Sequence, residues 1–96
     1  MKQATIQEIK EKILPILRAR GVKRTSLFGS VVRGEDDSKS DVDVIVEMPE
    51  GKSLFDLVDL KAELEETLGR PVDVITFKSV HPLLRENIER EQVAIL

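Results

Sequence analysis

Apolar and polar positions alternate along this chain in two rhythms. Between residues 3 and 20, Ile6, Ile9, Ile13, Ile16 and Leu17 recur at helical spacing and form one apolar stripe. The pattern predicts a first helix that Gly21 stops, with Pro15 inside it as a source of a kink or an early end. Residues 23–28 read as a short strand, and 29–40 as a polar loop with two glycines and room for one helical turn. Residues 41–47, Asp-Val-Asp-Val-Ile-Val-Glu, are the clearest strand. A turn at 48–52 leads to a helix that Ser53 opens, with Asp56 three residues on, and Gly69 ends. Leu57, Leu60, Leu64 and Leu68 mark its buried face. Pro71 to Phe77 predicts a third strand, and Pro82 opens a last helix to about Glu91 that carries Leu84 and Ile88. Val93 to Leu96 adds an edge strand or packs down. The order α-β-β-α-β-α predicts an α/β (α+β) fold: one domain over residues 1–96, with a small mixed sheet and helices mainly on one face.

Composition narrows the chemistry. The sequence has no Cys, Trp or Tyr and a single His, His81. Disulfides, cysteine zinc sites and thiol catalysis are excluded, and carboxylates, hydroxyls and basic groups remain. His81 stands just before Pro82 and reads as a helix-end residue. Net charge is −3, from 15 basic and 18 acidic residues, so no stable nucleic-acid binding is expected. Arg18, Arg20, Lys23 and Arg24 read first as a solvated helix end and second as an anion patch. No apolar run is long enough for a membrane span, and no signal peptide is evident, so the expected location is cytoplasmic and no membrane contact is expected.

The strand 41–47 carries the candidate chemistry. Val42, Val44 and Val46 face one way, and Asp41, Asp43, Ile45 and Glu47 the other. Same-face neighbours lie roughly 6.6 Å apart, so Asp41 and Asp43 set two carboxylates side by side. Such a pair suits a hard divalent cation with oxygen ligands. Asp73, between Val72 and Val74, completes a three-carboxylate cluster if its strand lies beside 41–47. As a half-buried acid among valines it would need such partners. Gly29 and Ser30 follow the first strand, and a glycine there lets backbone N–H groups approach a phosphate. Arg33 lies in the same loop. Together these residues describe a site for a metal-bound nucleoside triphosphate. Ile45, Ile75 and Phe77 share the aspartate face. They are either an exposed docking or self-association surface or ordinary core under the C-terminal segment.

Leu27-Phe28-Gly29-Ser30, Arg33-Gly34 and Ser40-Asp41-Val42-Asp43 resemble the signature of the DNA polymerase β-like nucleotidyltransferases, with residues 31–40 as the spacer. The chain is most similar to the minimal nucleotidyltransferases, the antitoxins of HEPN–MNT toxin–antitoxin pairs. One departure is Val32, where the pattern usually has a small residue. The resemblance implies a polymerase β-like fold and two Mg²⁺ ions held with the triphosphate by Asp41 and Asp43. It implies that Asp73 completes the metal site and helps deprotonate the acceptor, and that Gly29 and Ser30 hold phosphates. It also implies AMP transfer from ATP to a tyrosine of a HEPN toxin partner. With no Tyr, the chain cannot label itself on tyrosine, and its shortness leaves the acceptor to a partner protein. The alternatives are an antitoxin that acts by binding alone, and a nucleotidyltransferase for a small molecule or RNA. Self-association stays open.

Overall fold

The structure, a computed structural model, describes residues 2–29, 32 and 41–96. Helix α1 spans Lys2–Ala19, and strand β1 spans Arg24–Phe28. Strand β2 is Val42–Glu47, helix α2 Leu54–Leu68 and strand β3 Val72–Thr76. A 3₁₀ turn, Phe77–Ser79, leads to helix α3, Pro82–Glu91, and a short strand β4, Val93–Ala94. The strand order is β3-β2-β1-β4. β1 pairs antiparallel with β2 and β4, and β2 pairs parallel with β3. The mixed sheet is thus as expected, and residues 93–96 do supply an edge strand.

The alternation of β2 divides the molecule. Val42, Val44 and Val46 are fully buried. They pack with Ile9, Ile13 and Leu17 of α1 and with Leu60 and Leu64 of α2 in the main core. Half-buried Val32 packs against the same cluster. Pro15 does not end α1, which continues to Ala19. The proline lies on the exposed side, where water can satisfy the carbonyl that its ring leaves unbonded.

Local chemistry sets the limits of α2. The Asp56 carboxylate accepts hydrogen bonds from the Ser53 backbone N–H at 2.8 Å and the Ser53 hydroxyl at 3.2 Å. The backbone bond is the main reason its pKa falls below the usual carboxylate range. Gly69 closes the helix at φ 68°, donating its N–H to the Glu65 carbonyl. The Glu65 side chain accepts the Val72 N–H at 3.0 Å and pairs with Lys61 at 3.1 Å, the backbone bond being the larger cause of its lowered pKa. One carboxylate therefore ties the end of α2 to the start of β3.

β3 stops at Thr76, one residue short of the expected Phe77, which enters the 3₁₀ turn instead. The Thr76 hydroxyl accepts the Ser79 N–H at 3.2 Å, a local bond that competes with continuing the strand. His81 caps α3 as expected, its Nδ1 accepting the Leu83 N–H at 3.1 Å. On the aspartate face, Ile45 is only 1% exposed and Val80 7%. Ile75 and Phe77 are half-buried. The docking alternative fails at Ile45, because the segment after β3 folds back over that part of the face. No described helix is long and apolar enough to cross a membrane.

Candidate active site

The register gathers the chemistry at one end of the aspartate face. Asp43 lies opposite Phe28 on β1 and opposite Asp73 on β3. Paired residues on neighbouring strands share a face and sit about 4.8 Å apart. The two carboxylates predicted to meet are therefore register partners. Asp43 is half-buried, whereas Asp41, one residue before β2, and Asp73 are exposed. Among the described residues, neither Asp41 nor Asp73 has a hydrogen-bond or ion-pair partner.

Two expectations change here. Asp73 is exposed on the outer strand β3, so burial does not force it to have a partner. Nor do three carboxylate or imidazole side chains among the described residues stand close enough to enclose a metal by themselves, so a cation here would also need phosphate oxygens. Asp41, Asp43 and Asp73 share one neighbourhood and do not close into a cage. Three anions at ligand distance repel unless a proton or a cation lies between them.

Gly29 ends β1 against this group. Its φ is 81°, a left-handed conformation that side chains rarely adopt. A Cβ built on it would overlap the Asp43 carboxylate oxygen and lie 3.1 Å from Asp43 Cγ. Glycine is thus needed for close approach as well as for the turn. Asp43 is held against the backbone of the loop proposed to hold phosphate. Ser30 and Arg33 lie outside the described residues. The donor set is hard oxygen beside a glycine cradle, which fits Mg²⁺ with a triphosphate.

At the opposite end of the same face, Arg24 of the predicted basic cluster meets Phe77, a contact that their sequence positions do not signal. Arg24 places its guanidinium 4.3 Å from the Phe77 ring centroid and pairs weakly with Glu47 at 4.0 Å. Arg20, from the same predicted basic cluster, instead pairs with Glu63 at 2.7 Å and links α1 to α2. Arg24 opens β1 and Phe77 follows β3, and nothing in their spacing along the chain signals the contact. The register that brings them together is not local.

The sequence profile of the nucleotidyltransferase domain matches residues 10–95. A Methanocaldococcus jannaschii protein named "putative protein adenylyltransferase" is 58% identical over 91 residues, covering 95% of this chain and 98% of its own. The protein adenylyltransferase MntA of Thermococcus cleftensis is 38% identical over 100 residues, covering 99% of this chain and all of its own, 100%. A solved structure of a "putative minimal nucleotidyltransferase" superposes with a TM-score of 0.82 at 38% identity, over 97% of this chain and 95% of that one. The complex of a tri-AMPylated Shewanella oneidensis HEPN toxin with its MNT antitoxin shares the fold at a TM-score of 0.73. Its identity is 20%, over 100% of this chain and 72% of that one. With the glycine turn and the paired aspartates of adjacent strands in place, the chain belongs to the nucleotidyltransferase domain family, among its minimal members.

Proposed function

We propose that this chain is a Mg²⁺-dependent protein adenylyltransferase that acts as an antitoxin. It transfers AMP from ATP to a tyrosine hydroxyl of a HEPN ribonuclease toxin. The observation that carries the reading is the pairing of Asp43 with Asp73 beside a Gly29 that could not bear a side chain. A module that only masked its partner would need neither feature. The adenylyltransferase names of close relatives support the transferred group, and the Shewanella toxin–antitoxin complex supports the partner class.

Asp41, Asp43 and Asp73 would hold Mg²⁺, which when bound neutralises the triphosphate and draws electron density from the α-phosphorus. The backbone at Gly29, with Ser30, holds phosphate oxygens. Asp73 faces solvent from β3 and so can take the proton of an incoming hydroxyl. The hydroxyl oxygen bonds to the α-phosphorus, the bond to the bridging α–β oxygen breaks, and pyrophosphate leaves. Leu54, Phe55 and Val58 are 73%, 82% and 55% exposed on one stretch of α2, an apolar surface of the kind that meets protein partners. The tri-AMPylated Shewanella toxin supports carrying more than one transfer to this chain.

The test uses ATP labelled at the α- or the γ-phosphate, Mg²⁺ and a HEPN partner. Label retained on the partner from the α position alone is the expected result. Transfer of γ-label would make the chain a kinase, and no transfer from either position would leave binding alone.

A further inference from the structure

We propose that the aspartate face carries a second subsite, a cationic pocket that holds an AMP already joined to the acceptor so that its ribose can be adenylylated in turn. The inference rests on the adenylyltransferase reading and deepens it. A cavity of about 290 Å³ opens beyond the carboxylates, between the sheet and α3. Ile45 forms part of its lining and stands two residues along β2 from Asp43 on the same face, roughly 6.6 Å along the strand. Phe77, Val80 and Ile88 add apolar walls.

Its charge is unlike that of the whole chain. Arg24, Lys78 and Arg85 line it, against one carboxylate, Glu89, in a protein of net charge −3. Among the described residues, Lys78 and Arg85 pair with no carboxylate. Arg24 is already stacked on Phe77. Two uncommitted cations over an apolar floor suit an anion attached to a flat organic group. A bare tyrosine hydroxyl offers no such anion. A tyrosine that carries AMP offers a phosphodiester, a purine and free ribose hydroxyls.

The chemistry repeats the first transfer. A ribose hydroxyl of the linked AMP loses its proton and its oxygen bonds to the α-phosphorus of a second ATP. The α–β bridging bond breaks and pyrophosphate leaves. Each round creates another phosphodiester for the pocket, so the pocket favours later additions over the first.

The test compares wild type with the double variant Lys78→Glu and Arg85→Glu, both at exposed positions. Intact mass of the partner is followed over time with ATP and Mg²⁺. The first addition should stay within about twofold of wild type, and the second should slow at least about tenfold (~1.4 kcal/mol). Arg85→Lys, which keeps the charge, should retain the second addition. Equal slowing of both additions, or slowing of neither, overturns the subsite. A second arm titrates the phenyl ester of AMP against the chain alone by NMR. Weakening of at least about tenfold in the double variant supports the pocket, and unchanged affinity overturns it. Ester binding with no transfer to any partner would instead indict the adenylyltransferase reading.

Discussion

The two faces of the sheet are made from alternate residues of the same strands, yet they obey opposite rules. On the helix-covered face, Val42, Val44 and Val46 interlock with Leu17, Leu60 and Leu64 in a mostly apolar layer, with Thr25 the buried polar side chain opposite Val46. On the other face, Asp43 and Asp73 occupy the rung between two, Val42 with Val72 and Val44 with Val74, that point valines into the core. On the proposed function, stability comes from the first face and chemistry from the second. Substitution should therefore separate the two in a way that a single mixed core would not allow.

The largest separation is expected at Asp43. Asp43→Asn should lower AMP transfer by about 10³-fold or more, equivalent to ~4 kcal/mol, while the thermal midpoint stays within a few degrees. Initial rates of label incorporation, read beside a melting curve, check both halves. The mirror case is Leu64→Ala in the core, where the lost packing should cost about 2–5 kcal/mol in urea unfolding. The folded fraction of that variant should still transfer AMP.

Gly29→Ala tests the seam between the faces. The left-handed turn alone should cost about 1–2 kcal/mol. The added methyl must also displace the Asp43 carboxylate, so activity should fall far more than stability predicts. An alanine variant with near-normal transfer would refute the tight placement of Asp43. Glu65→Gln should have the smallest effect. The folded pKa of Glu65 is depressed by the Val72 N–H and Lys61. Its contribution is therefore present above the ordinary glutamate range and lost as pH falls through the folded value. Stability of the wild type should drop more steeply in acid than that of the Gln variant, as read by unfolding midpoints across that range.

Much of this division was legible in the sequence. The period of two in residues 41–47 separated the valines from the aspartates, because a strand permits only two directions. The need for a glycine at position 29 was legible, but its contact with Asp43 depends on the β1–β2 register, which no local pattern states. Asp73 was placed beside Asp43 on the right strand, although as an exposed residue and not a half-buried one, since β3 is an outer strand. The cover over Ile45 stayed open because α3 has only one half-buried apolar residue, Ile88, and leaves Leu83 and Leu84 exposed. Periodicity that weak does not say which surface a helix meets. Arg24, Lys78 and Arg85 meet at one cavity from three separate elements, and their spacing carries no signal of it.

The central claim is that the carboxylate face disarms a partner by chemistry and not by contact. The most direct test is RNA cleavage by the HEPN partner after incubation with this chain, ATP and Mg²⁺, followed by removal of the chain. The account predicts that the partner stays inactive after wild-type treatment, and regains full activity after treatment with Asp43→Asn. Lasting inactivation by both proteins, or by the wild type without ATP, would contradict it.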